Sequence, residues 1–355
     1  MDKYLIDSHK LHFHPRRVAD WLQGDNIAPV YMEISPSGAC NHRCVFCGLD
    51  FMGYKPRFLP TDIVRERLSE LGAMGLKSLM FAGEGEPLLH RDICAMAEHA
   101  HGCGIDLAFT TNGVLLREDK IARLLPVTQW IKVSCNAGSA ATYAAIHRTK
   151  AADFDQVFHN LAAAAELRRR DALACVLGLQ ALLLPENRGE MVDLALRCRD
   201  LGLDYLVIKP YSQHPQGDSR RYQDICYQAE NALESALADL NTPAFHVVFR
   251  SETMQRWDEG QREYRRCLAL PFWSYVDAGG NVWGCSVYLG DERFLYGNIL
   301  TQSFREIWEG ARRRESLRWV EQELDPSVCR VNCRMDKINT YLWGLRHPPD
   351  HVNFI

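Results

Sequence analysis

Three cysteines within Cys40-Asn-His-Arg-Cys44-Val-Phe-Cys47 constrain this chain more than any other stretch. They follow directly on Pro29-Val-Tyr-Met-Glu-Ile34, a short apolar run that reads as a strand. Cysteines in a reducing compartment are metal ligands or catalytic groups sooner than disulfide partners. Zinc takes four such ligands in a structural site, and His42 lies inside the CxxxCxxC spacing, not beyond it. An iron–sulfur cubane has four irons, so three thiolates would leave one iron open to chemistry. The bland alternatives are a zinc knuckle or three unrelated buried cysteines.

The rest of the composition sets limits. With 355 residues the chain has room for a large core and a second, smaller domain. A net charge of −4 gives no electrostatic reason to expect nucleic acid or an anionic membrane as partner. The sequence contains no apolar run of about 18 residues that could span a bilayer. The stretch from Met1 to Gln23 is polar and has no apolar signal core, so a cytoplasmic location is expected. His9, His12 and His14 cluster there, and histidines in an exposed arm are usually only solvated. Of the thirteen cysteines, Cys94, Cys103, Cys175, Cys198 and Cys226 lack partner spacing and read as structural.

From about residue 28 to 240 strand and helix patterns alternate. Strands are expected near 30–35, 77–83, 105–110, 130–135, 173–184 and 204–209. Val64, Leu68 and Leu71 mark one face of a helix, with Thr61 as its N-cap and Gly72 or Gly75 as its stop. The alanine-rich run from Leu161 to Arg170 reads as another helix. Six βα units predict a parallel sheet with helices outside, and a closed barrel would need eight. Sites in such folds lie where the strands end.

The loops at those strand ends carry a resemblance. The CxxxCxxC loop, with Phe46 just before its third cysteine, resembles the radical S-adenosylmethionine (SAM) superfamily. In that family the free iron holds the amino and carboxylate groups of SAM. Gly83-Glu84-Gly85-Glu86-Pro87 resembles the family's segment that holds the SAM amino group, although Glu84 stands where glycine is commoner. Thr110-Thr-Asn112-Gly113 is similar to a turn that recurs in the family. Ser134 and Asn136 resemble the pair that contacts the SAM ribose, with Asn136 standing where many relatives have aspartate. Gln180 would face SAM or satisfy backbone. Cys135 is either a small buried residue or a hydrogen-atom donor. Lys209, Tyr211 and His214, beyond the sixth strand, are candidates for substrate contact or proton transfer.

Past Asn241-Thr-Pro243 the alternation stops. Cys267 precedes two β-type runs around Asp277-Ala-Gly-Gly280, which read as a hairpin ending at Cys285. Ser303-Phe-Arg-Glu306 is a capping-box signature, and Cys329 and Cys333 precede a closing helix through Leu345. These four cysteines can close a complete four-thiolate site, and structural zinc takes the same ligands. Their order resembles the "twitch" domain, the shortened SPASM domain, which holds one auxiliary 4Fe–4S cluster. The terminal pair is CxxxC where CxxC is more usual.

The expected fold is therefore α/β: a partial (βα)6 TIM-like barrel with a small C-terminal α+β iron–sulfur domain. The expected boundaries are 1–27 for an N-terminal extension, 28–242 for the barrel and 243–355 for the auxiliary domain. The resemblance implies SAM, a SAM-binding 4Fe–4S cluster on Cys40, Cys44 and Cys47, and an auxiliary 4Fe–4S cluster on Cys267, Cys285, Cys329 and Cys333. It implies an external one-electron donor such as flavodoxin or ferredoxin. It also implies a 5′-deoxyadenosyl radical that takes a hydrogen atom from a small polar substrate such as a sugar, sugar nucleotide or cyclitol. Oxidation of an alcohol is the expected outcome, because the layout is similar to that of the family's cyclitol dehydrogenases. Epimerisation and peptide modification are the alternatives within the family. A non-catalytic iron–sulfur or zinc protein is the alternative outside it.

Overall fold

The computed structural model describes residues 4–354 apart from 7, 229 and 261. Its centre is one ten-stranded sheet in the order β10-β9-β8-β1-β2-β3-β4-β5-β6-β7. Six strands fall where the sequence places them: β1 (Tyr31–Ile34), β2 (Ser78–Phe81), β3 (Asp106–Thr111), β4 (Trp130–Ser134), β5 (Val176–Leu183) and β6 (Tyr205–Pro210). A seventh, β7 (His246–Phe249), pairs parallel with β6, so the parallel sheet runs past residue 242. The expected α/β partial barrel is thus present, with one strand more than the six expected.

Period-two alternation sorts the side chains of each strand onto two faces. Leu79, Phe81, Leu107, Phe109, Ile131, Val133, Leu177 and Leu206 face outward into one core with helix residues such as Leu68, Ala97, Leu161 and Leu194. Parallel strands need crossover connections, and helices here supply them. The helix over Thr61–Met74 ends at Gly75 in a left-handed conformation, as the sequence predicts. Its N-cap does not follow the sequence reading. The cap position is Pro60, and the Thr61 hydroxyl donates to Asp92 Oδ2 at 2.7 Å instead of capping. The opposite, inner face carries Tyr31, Met80, Ala82, Ala108 and Trp130 in one cluster, and Tyr205, Val207 and Val248 in another.

The C-terminal part joins the same sheet. β8 (Trp273–Val276) pairs parallel with β1, and β9 (Asn281–Trp283) and β10 (Leu295–Asn298) follow antiparallel, so the expected hairpin is present. Glu84 ties the barrel to this hairpin by accepting from the Ala278 N–H at 2.7 Å. The segment expected to be an N-terminal extension packs into the C-terminal part. Leu11, Val18, Trp21 and Ile27 share a core with Leu268, Phe272 and Leu342, and Trp308 Nε1 donates to Ile27 O at 2.8 Å. Among the described residues no helix is long and apolar enough to cross a membrane.

Candidate active site

The first thiol loop leaves β1 and is strapped to the helix over Ala140–His147. Arg43 N donates to His147 O at 3.1 Å and Val45 N to Ile146 O at 2.9 Å. Cys40, Cys44 and Cys47 are free thiols, all half-buried. Burial pushes the Cys40 thiol up to about 11 and the other two upward as well; Cys44 also feels the charges of Cys47 and Cys40, and Cys40 that of Cys47. Thiols crowded this way resist ionising unless a cation neutralises them, which is what a metal centre does.

His147 completes the setting of Cys44. Its Nε2 accepts from the Asn136 main-chain N–H at 3.1 Å. A neutral imidazole accepting there carries its proton on Nδ1, and Nδ1 lies 3.2 Å from Cys44 Sγ. Burial, with the charge of His42 as a smaller cause, holds His147 well below the usual histidine range. Nothing in the cysteine spacing points to this residue, which lies about a hundred positions downstream. The Tyr54 hydroxyl is likewise hydrogen-bonded to the Cys47 thiol.

The loop after β2 packs on the first thiol loop. A Cβ at Gly85 would lie 2.2 Å from Ser37 O and 2.4 Å from Ala39 O, so only glycine lets the two backbones approach. Gly83 has φ +108° and passes Ser35 and Tyr275 as closely. Glu86 is 2% exposed and accepts from Thr111 Oγ1 at 2.6 Å, Asn112 N at 2.8 Å and Leu88 N at 3.0 Å. Both its oxygens are therefore engaged within the fold. Glu84, expected beside SAM, turns instead to Ala278 and Arg57, because the hairpin offers an N–H and a guanidinium there. Asn112 reaches back to the thiol loop, its Nδ2 donating to Asn41 Oδ1 at 2.7 Å.

On β4 and β5 the polar residues divide. Ser134 and Gln180 are half-buried on the inner face, paired in register across the two strands. Asn136 is 1% exposed, and its Oδ1 accepts from Leu182 N at 2.6 Å. It closes the ends of β4 and β5, and its Nδ2 donates to Ser134 Oγ at 3.3 Å. Cys135 is turned away from the inner face. It continues the outward parity of Ile131 and Val133, is fully buried in the main core and has its thiol near Ala137 O. A hydrogen-atom donor to a radical inside the barrel cannot be on that face.

Of the three candidates, Lys209 lies within β6 and not beyond it, and shares the inner face of that strand with Tyr205 and Val207. Tyr211 is buried against Tyr222 and Trp257, and its hydroxyl donates to Gln213 Oε1 at 2.9 Å. His214 stacks on Phe51, accepts from Gln216 N at Nδ1 and donates from Nε2 to Ser286 O at 3.3 Å. Burial lowers it to about 4. With both nitrogens engaged it joins the barrel to the hairpin, and it has no free position for proton transfer. Phe46 stands edge-on to His147, ring centroids 5.5 Å apart.

The second thiol set gathers beside Trp273, Tyr275 and Trp283. Cys285 feels the charges of Cys333, Cys267 and Cys329, and burial pushes Cys267 up to about 11 and Cys333 up to about 12. Donors surround the set. Asn339 Nδ2 is 3.6 Å from Cys267 Sγ, Val287 N donates to Cys285 Sγ at 3.4 Å, and the Tyr288 hydroxyl is 3.1 Å from Cys329 Sγ. Among the described residues, His42, Cys44 and His147 bring three ligand atoms within 4.8 Å of one another. Four thiolates in one place are a ligand set that zinc or an iron–sulfur cluster takes.

Residues 34–198 match the model of the radical SAM superfamily, and residues 267–334 match that of the SPASM iron–sulfur cluster-binding domain. The AdoMet-dependent heme synthase of Methanosarcina barkeri is 25% identical over 349 residues, 90% of this chain and 91% of that protein. The pre-heme d1 synthase of Dinoroseobacter shibae is 27% identical over 305 residues, 76% and 71% of the two chains. Among solved structures, Streptococcus suis SuiB bound to S-adenosylmethionine aligns with TM-score 0.63 at 16% identity, over 85% of this chain and 70% of that one. Native anSMEcpe with bound AdoMet aligns at 0.58 and 16%, over 90% and 95%. An enzyme of this kind uses SAM and a 4Fe–4S cluster on its barrel and auxiliary iron–sulfur on its C-terminal part. With its thiol loop at the head of a partial barrel and its second thiol set on the adjoining hairpin, the chain carries a radical SAM domain and, C-terminal to it, a SPASM-type iron–sulfur domain.

Proposed function

We propose that Cys40, Cys44 and Cys47 hold the SAM-binding 4Fe–4S cluster and that Cys267, Cys285, Cys329 and Cys333 hold one auxiliary 4Fe–4S cluster. On this reading the enzyme takes a hydrogen atom from a small polar substrate inside the barrel and oxidises an alcohol. The observation that carries it is the contrast between the two thiol sets, three in the first loop and four in the second. When bound, the cofactor pair supplies one-electron cleavage of SAM and a carbon radical able to abstract hydrogen. The chain's own part is to hold and screen. Gly83 and Gly85 let the loop after β2 lie against the thiol loop. Ser134, Gln180 and Lys209 present polar atoms from the inner face, and His147 donates to Cys44. The four-thiol set has no position to spare for substrate, which suits taking up an electron. Epimerisation by way of Cys135 is disfavoured, because that thiol lies on the helix side of β4.

A second reading, action on a tetrapyrrole precursor, is favoured by the two heme-synthase relatives that match along most of the chain. The test is anaerobic reconstitution with SAM and a reductant, screening sugars, sugar nucleotides, aminocyclitols, porphyrins and peptides for stimulated 5′-deoxyadenosine. With an alcohol substrate, deuterium on the carbinol carbon should appear in 5′-deoxyadenosine. Replacing Cys40, Cys44 and Cys47 by alanine should abolish that product while Mössbauer spectra retain one cubane. SAM cleavage by the triple variant would overturn the assignment.

A further inference from the structure

The second thiol set ends in Cys329-Arg-Val-Asn-Cys333, one residue longer than CxxC. Asn332 takes up the extra residue in the left-handed region, φ +58°, which asparagine tolerates. Its Nδ2 donates to Thr253 O at 2.9 Å. From another side Arg262 Nη2 donates to Cys329 O at 2.9 Å and to Arg330 O at 2.8 Å. The main chain of this loop is thus clamped, and the Arg330 side chain leaves it toward the barrel. Its Nε donates to Ser212 Oγ at 2.6 Å, and the Ser212 hydroxyl donates in turn to Val331 O.

Ser212 belongs to the segment after β6, and that segment meets the first thiol loop. Arg330 Nη1 lies 3.7 Å from where a Cβ on Gly48 would stand, and His214 Cβ lies 3.6 Å from the same point. Gly48 follows Cys47 directly. His214 stacks on Phe51 and donates to Ser286 O, beside Cys285 in the chain. One side chain therefore springs from the residue after Cys329 and ends at the residue after Cys47. The carboxylate of this seam, Asp50, is turned to main-chain N–H groups. Its Oδ1 accepts from Phe51 and Asp218 at 2.9 Å each, and its Oδ2 from Ser219 at 3.1 Å. Arg330 is half-buried, where a charge is screened less than at the surface, and a guanidinium keeps its proton.

Resting on the reading that the two thiol sets hold clusters, we propose that the Arg330 guanidinium raises the reduction potentials of both from the seam between them. An added electron makes a cluster more negative, and nearby charge is one of the quantities that set its potential. A cation shared by two centres eases electron uptake by each, by the first from the external donor and by the second from the substrate. At an effective dielectric constant of about 20, a unit charge roughly 10 Å from a centre changes its reduction equilibrium about tenfold. For one electron that is about 59 mV.

The measurement is potentiometric titration of the reconstituted, SAM-free protein followed by EPR. The second cluster is assigned in the protein whose Cys40, Cys44 and Cys47 are replaced by alanine. Arg330→Met and Arg330→Gln should move both midpoints negative by about that amount, and Arg330→Lys should move them much less. Ser212→Ala removes a partner and keeps the charge, so its shifts should also be small. The exposed control Arg123→Gln, in a surface pair with Glu98, should change neither midpoint. Unmoved midpoints in a neutral variant with full iron content overturn the proposal, and so does a shift confined to one cluster. An equal shift in Arg330→Lys or Ser212→Ala overturns it as well, because the charge would not be the cause. If both neutral variants lose iron that the unmodified protein holds, Arg330 serves assembly and the proposal fails. Mössbauer spectra and metal analysis of the unmodified protein test the underlying reading separately. One cubane with stoichiometric zinc defeats that reading for the second set, and the first midpoint then decides on Arg330 alone.

Discussion

His147 shows how much of a thiol's chemistry is decided by a residue remote from it in sequence. Its acceptor bond from Asn136 fixes the proton on Nδ1, which then points at Cys44. An N–H directed at a cluster sulfur favours the reduced state. His147→Phe should therefore move the midpoint potential of the first cluster negative by on the order of 60 mV, the one-electron equivalent of a bond worth about 1.4 kcal/mol. His147→Gln, which keeps an N–H donor, should move it less. Redox titration followed by EPR measures both. An unchanged potential in a His147→Phe protein with full iron content would show that the bond does not tune the centre. At this scale the sequence is uneven. The cysteine sets are legible because their spacing is local. Cys135 is half legible, since the alternation of Ile131, Val133 and Cys135 already assigns it to the apolar face. Glu84, Asn136 and His214 are not legible, because their partners Ala278, Leu182 and Ser286 come from other elements.

Elements read best where the signal lies within one turn. Ser303 accepts from Glu306 N at 3.2 Å and Glu306 returns a bond to Ser303 N at 2.9 Å, the capping box that the sequence announces. The short helix Phe304–Trp308 buries Phe304, Ile307 and Trp308, so its start matters beyond its length. Ser303→Ala should lower stability by about 1 kcal/mol, with Ser303→Asp recovering most of it, as read from denaturant midpoints. A loss within error for Ser303→Ala would mean that tertiary packing alone holds the helix. Thr61 shows the limit of such signals. It sits one position inside its helix and spends its hydroxyl on Asp92. β7 escapes sequence reading for another reason. Four residues after Pro243 are too few for a period to declare itself, and only pairing with β6 makes them a strand.

At the scale of the molecule, the barrel and the auxiliary hairpin share one sheet. β1, which delivers the first thiol loop, has β2 on one side and β8 on the other. Arg67 Nε donates to Ile299 O at 3.2 Å and Phe304 N to Glu70 Oε2 at 2.7 Å, adding side-chain ties across the same junction. A protein ended after residue 260 would expose one whole edge of β1 and uncover Leu11, Val18 and Trp21. Such an edge recruits other chains. The truncated protein should therefore elute as aggregates on size exclusion and unfold without a cooperative transition. A monomeric truncation with a sharp transition would show that the barrel stands alone. The same pairing has a consequence at the ribosome. About 240 residues separate the end of β1 from the start of β8. At translation rates of about 5–20 residues per second, the nascent barrel waits roughly 10–50 s before its neighbour strand emerges. Throughout that interval the strand leading into the first thiol loop has β2 on one side and an open edge on the other, the kind of edge that recruits other chains or a chaperone.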